Sequence, residues 1–214
     1  MNTPTPRMRS APLVGVGAVA LWVIGIALDP GVPDLFVDSG AEWLTFVGDN
    51  AGGINASRLA LLLGDFLFLL FLGTLRTRLS AFEVAPQHWT AIAFGGGLLT
   101  AAMLIGTSAP VLAASAAADG LEPSAAQALG VLEFAFFIGA GIAGASLLAA
   151  TGILAIRTAV LPTWFGWASM VIALLMLTVI GPIGFIAIVL GLPLWVLAVS
   201  ILLWRRTSTA PAAT

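Results

Sequence analysis

Six apolar stretches, holding only three charged residues between them, decide what this chain can fold into. They run over about residues 12–28, 58–75, 89–112, 124–156, 164–180 and 184–204. A helix needs roughly 20 apolar residues to cross a hydrocarbon core about 30 Å thick. Backbone groups in lipid must be bonded within the segment, so each stretch is predicted to be a helix. A membrane barrel would alternate apolar and polar residues over segments of about ten, and these runs are continuous. Composition agrees: 60% of the 214 residues are hydrophobic and 8% are charged, against about 25% charged in soluble domains. Soluble and disordered classes are both excluded. The expected fold is an all-α integral membrane protein, a compact up-down bundle of six transmembrane helices over residues 12–206. A segment of residues 1–11 precedes it, and a small, polar tail over 207–214 is expected to be disordered.

Arg7 and Arg9 before the first stretch resemble the start of a signal peptide, but Asp29-Pro30-Gly31 follows with no small-x-small cleavage pattern, so a retained helix is expected. With six spans, Arg7, Arg9, Arg76, Arg78, Arg157, Arg205 and Arg206 fall on one side and Arg58 alone on the other. The positive-inside rule puts both termini in the cytoplasm of a bacterial plasma membrane. Asp29, Asp34, Asp38, Glu42, Asp49, Asp119 and Glu122 sort to the outside, and Glu83 to the inside. Trp89, Trp164 and Trp204 fall at inner span ends, where indole rings favour the headgroup level.

The one long loop covers about residues 29–57. Within it Ser39-Gly40-Ala41-Glu42 fits a capping box, and Trp43, Phe46 and Val47 follow at helical spacing. A short amphipathic helix is expected there, on the outer leaflet or capping the bundle. Asn50 to Asn55 is glycine-rich and reads as a turn, as does Gly181-Pro182-Ile183-Gly184. The sequon Asn55-Ala56-Ser57 carries no weight. Gly130, Gly141 and Gly144 share a helical face, which predicts close packing, and Gly95-Gly96-Gly97 suggests a close contact or a weak point. Pro110 and Pro193 predict kinks opposite Gly106 and Val189.

Asp65 and Glu133 lie within spans, at similar expected depth from the outer side. A charge inside the bilayer is costly, so such acids face the bundle and mark a candidate site. Thr107 and Ser108 on the third span lie near that level. Arg58, seven residues before Asp65, shares its face and would either pair with Asp65 or reach outward. Together these five residues form a candidate polar site, as a proton- or cation-binding pocket. The competing reading is structural: hydrogen-bonded acids acting as glue between helices.

Other chemistry has little support. The chain has no cysteine, lysine or tyrosine, which removes thiolate and Schiff-base chemistry. His88 stands alone, and no metal or other cofactor is expected. No Walker, GxSxG or HExxH pattern occurs. Gly139-Ala140-Gly141-Ile142-Ala143-Gly144 lies in a span and reads as packing, not as a dinucleotide fingerprint. Arg205-Arg206 stops transfer and does not suggest nucleic-acid binding.

Phe71-Leu72-Gly73-Thr74-Leu75-Arg76-Thr77-Arg78-Leu79, Phe94-Gly95-Gly96-Gly97 and Leu161-Pro162-Thr163-Trp164-Phe165-Gly166-Trp167, with the acidic outer loop, resemble pieces of a loosely defined family. Its members are uncharacterised bacterial multi-pass membrane proteins of high-GC genomes, with domains of unknown function. The resemblance implies the fold and no activity. Three functions are therefore carried forward. The first is a non-catalytic membrane component acting through helix contacts with lipid, its own copies or another membrane protein. The second is a small proton- or cation-linked transporter or channel using Asp65 and Glu133. The third, ranked last, is an intramembrane enzyme.

Overall fold

The computed structural model describes residues 13–31, 39–158, 160–178 and 181–208, and these are helical throughout except for short links, with no strand among them. The helices are α1 (Val14–Leu28), α2 (Gly40–Asp49), α3 (Ala51–Ser80), α4 (His88–Ala116), α5 (Pro123–Thr158), α6 (Thr163–Met176), α7 (Pro182–Ile186) and α8 (Leu192–Ser208). A turn of π-helix, Ala187–Gly191, joins α7 to α8 into one rod. Four helices are long and apolar enough to cross a membrane: α3, α4, α5 and the rod Pro182–Arg205. Within their described bounds α1 and α6 are apolar but shorter, at 15 and 14 residues. At 1.5 Å per residue that is about 21–23 Å, less than the usual hydrocarbon thickness of about 30 Å.

Sequential neighbours pack against each other: α3 on α4, α4 on α5, and α5 on α6. The first helix, α1, lies against α3 and α8 and closes the bundle. The main core is centred on Phe68, Phe71, Leu72, Leu75, Leu147, Leu148, Leu154 and Trp195, all buried. The outward faces are apolar too, with Leu63, Phe66, Val171, Leu174 and Leu194 exposed. A helix that is apolar on every side belongs in lipid. Trp164 and Trp204 are also exposed.

The capping box forms: the Glu42 N–H donates to Ser39 Oγ and the Ser39 N–H to Glu42 Oε2, at 3.3 and 2.8 Å. Glu42 is held below the usual carboxylate value by the Ser39 backbone N–H and then by its hydroxyl. The helix it starts, α2, buries Trp43 and Val47 with Ile54, Val111, Ala114 and Ala126 in a second, smaller core. It therefore caps the bundle by packing on α4 and α5. Gly40 sits against the Pro123 carbonyl, where a Cβ would overlap it.

Two turns expected from the sequence are helical instead. Residues 51–55 are the first turn of α3, with Asn50 alone separating it from α2. Burial of Ile54 in the second core overrides the weak helix propensity of Gly52 and Gly53. Likewise Pro182 opens α7 at its first position, where a missing N–H costs nothing. At the opposite end Glu83 accepts the Trp89 and Thr90 N–H groups at the start of α4, at 2.9 and 2.8 Å. Slight burial pushes the Glu83 carboxyl up, but these bonds and the nearby His88 bring it below its ordinary value.

Pro110 does not break α4, which runs on to Ala116. Pro193 acts differently. The π-turn precedes it, and the Leu192 N–H donates to the Ala187 carbonyl five residues back. A local π adjustment is a known way to rearrange carbonyls that lose a partner to proline. The packing glycines Gly130, Gly141 and Gly144 are all buried. In the triple-glycine run, Gly96 sits against the α5 backbone and Gly97 against Leu72, while Gly95 faces open space. Thr207 and Ser208, expected in the tail, close α8. Arg7, Arg9, Asp34, Asp38 and residues 209–214 lie outside the described residues.

Candidate functional site

Among the described residues, Asp29, Glu42, Asp49 and Glu122 lie at the end of the bundle where α1 stops and α3 starts, and Arg76, Arg78, Arg157 and Arg205 lie at the other. At the acidic end the helices part around a cavity of about 660 Å³. Small-molecule sites fall in the range of about 300–1,000 Å³. Four of the five candidate residues line it: Arg58 and Asp65 from α3, Thr107 from α4 and Glu133 from α5. Ser108 does not; it is buried, with its Oγ unbonded.

The charged residues are not paired as the helical spacing suggests. Arg58 meets neither Asp65 nor the outside. Its Nη2 crosses to Glu133 Oε1 on α5 at 2.9 Å and lies 3.7 Å from Asp29 Oδ2 beyond the end of α1. One guanidinium thus ties three segments together. Asp29 is itself fixed by the Gly31 N–H, which donates to Oδ1 at 3.0 Å. Gly31 has φ +86°, a left-handed conformation that favours glycine. The Arg58 side chain is 7% exposed, yet its Nε–H has no acceptor.

Asp65 has a different partner. It is 2% exposed, and its Oδ1 accepts the Trp22 Nε1–H from α1 at 2.8 Å. Gly64 makes this bond possible: a Cβ there would stand 2.6 Å from Trp22 Cδ1. The Trp22 ring also leans on Phe68, with centroids 5.3 Å apart. Below it, Ser57 Oγ donates to the Gly25 carbonyl at 2.9 Å and ties α3 to α1 a second time. Asp65 and Glu133 are therefore held by separate partners and do not form a facing carboxylate pair. Thr107 is satisfied within its own helix, its hydroxyl donating to the Leu104 carbonyl at 2.6 Å.

The rest of the wall is apolar. Phe134 and Phe137 come from α5, Phe185 from α7, and Ile188 and Val189 from the π-turn. Phe137 and Phe185 rings contact each other at 5.2 Å. Sequence reasoning missed Trp22, Asp29 and this aromatic wall. Trp22 did carry a signal: an indole in mid-span, far from the headgroups, needs a buried acceptor for its N–H. Among the described residues no group of three or more His, Asp or Glu is placed to hold a metal ion.

No protein-family model, no curated protein and no solved structure matches this chain.

Proposed function

We propose that this is a six-span membrane protein whose cavity is the binding site of a small proton- or cation-linked transporter. The cavity carries the reading: it is ligand-sized, lies inside an apolar bundle, and holds three carboxylic acids against one arginine. A component acting only through helix contacts has no need of such a space, and its acids would sit in a dry core. An intramembrane enzyme would want its two acids acting on one substrate bond, whereas Asp65 and Glu133 are each bonded to a partner of their own, Trp22 and Arg58.

In this reading α1 and α6 also span, the bilayer thinning or flanking residues reaching out to offset their length. The arginine end faces the bacterial cytoplasm, with both termini, and the acidic end and its cavity face outward. Helix α2 then closes part of the outer end.

Proteoliposomes with an imposed pH gradient and an internal pH-sensitive dye test this. The expected result is proton flux above that of empty vesicles, abolished by Asp65→Asn. Flux equal to empty vesicles under both inward and outward gradients would reject it.

A further inference from the structure

The proposed transport reading leaves open what the cavity takes. Four observations bear on its chemistry. Asp29, Asp65 and Glu133 outnumber Arg58 three to one around the space, and Arg58 already contacts two of them. Asp65 is almost fully buried with an indole N–H as its bonding partner and, among the described residues, no arginine paired to it. A carboxylate inside an apolar bundle calls for a neutralising cation or a proton. The same cavity is lined by the aromatic rings of Phe134, Phe137 and Phe185 besides Trp22, and ring faces attract cations through their quadrupoles.

The way in is informative as well. Two lining residues, Ile26 on α1 and Phe185 on α7, are 49% and 51% exposed. In the reading proposed below, the cavity opens beside them to the lipid-facing side of the bundle as well as at the acidic end. A ligand that partitions into the bilayer would meet this opening directly.

We propose that the cavity binds an amphipathic organic cation, taken laterally from the membrane, with its charge at Asp65 and its apolar body against Trp22, Phe134, Phe137 and Phe185. This deepens the transport reading and rests on it.

Two probes of the same shape and opposite charge separate the possibilities: tetraphenylphosphonium and tetraphenylborate. Equilibrium dialysis of the full chain in detergent is expected to show saturable tetraphenylphosphonium binding, with tetraphenylborate weaker by about tenfold or more, as one unpaired carboxylate in a desolvated site would give. Asp65→Asn should weaken the cation by about tenfold and narrow the gap between the probes. Equal or tighter binding of the borate overturns the inference, as does unchanged cation affinity in Asp65→Asn. Should that variant not fold, the two-probe comparison on the unaltered chain decides alone. Neither probe binding also overturns it, while the flux measurement decides the transport reading separately. Proton flux with no cation preference leaves a transporter whose ligand is not an organic cation.

Discussion

At the arginine end of the bundle, α3, α4 and α5 close on each other through buried Leu72, Leu75, Leu79, Leu147, Leu148 and Leu154. The charges there stay outside and clamp neighbouring helices from the surface. Arg76 lies 4.8 Å from the Phe94 ring centroid and Arg157 lies 5.6 Å from that of Trp89. Toward the acidic end a cavity opens between the helices beside the small core under α2, and charges lie inside. Arg58 ties α5 to the end of α1, and Trp22 bonds Asp65 where α1 packs on α3. One end is held by packing with ionic contacts as trim. The other is held by the small core under α2 and by a few polar bonds around a void.

The largest effect should come from Arg58→Ala. It leaves Glu133 half-buried with no cation, and breaking a buried ion pair costs about 3–5 kcal/mol. Thermal unfolding in detergent should show this, and Arg58→Met with Glu133→Leu together should recover most of it. A single variant as stable as the parent would mean that the acidic end is not held by this pair.

A pair of truncations probes the contrast directly. Leu148→Ala in the closed end should cost about 2–5 kcal/mol, as a new cavity opens in a packed core. Ile188→Ala widens a void that already exists, so the same assay should give a value at or below the bottom of that range. Equal losses would show that the acidic end is packed as tightly as the other.

Trp22→Phe keeps the ring contact with Phe68 and removes the donor to Asp65. The expected loss is about 1–3 kcal/mol for a buried acceptor left unbonded. A loss within error would place the Trp22–Asp65 bond outside what holds α1 to α3.

The smallest effect is a pH dependence at α2. Glu42 is held below its ordinary value by Ser39, so its cap is fully present above the usual glutamate value of about 4.3 and is lost as pH falls through the lower folded value. Amide hydrogen exchange across Gly40–Asp49 should speed up, relative to the rest of the bundle, only in that acid window. Glu42→Gln should remove the pH dependence while retaining part of the cap.

Much of this was legible in the chain. Every long apolar run is a helix, the capping box is where the sequence puts it, and Arg58, Asp65, Thr107 and Glu133 share one cavity. They stood out because polar groups in apolar runs are expensive and must face something. Their partners were not legible. Arg58 and Asp65 share a helical face, yet one reaches α5 and the other α1, because helix neighbours outside the local segment offer better geometry. Asp29 read as an ordinary loop acid, and the aromatic wall as ordinary span composition. The start of α3 was misplaced because Gly52 and Gly53 signal a turn locally, while Ile54 gains more by joining Trp43 and Val47 in a core that local rules do not see.

By itself the sequence determined the solvent and the elements. Transfer of each side chain between water and lipid is a local, additive cost, so a run of residues suffices to read it. The tertiary structure alone decided which acid meets which donor and whether a void remains between them. Those outcomes turn on the rotation and height of each helix against its neighbours, set by close approaches such as Gly64 to Trp22 and Gly96 to the α5 backbone.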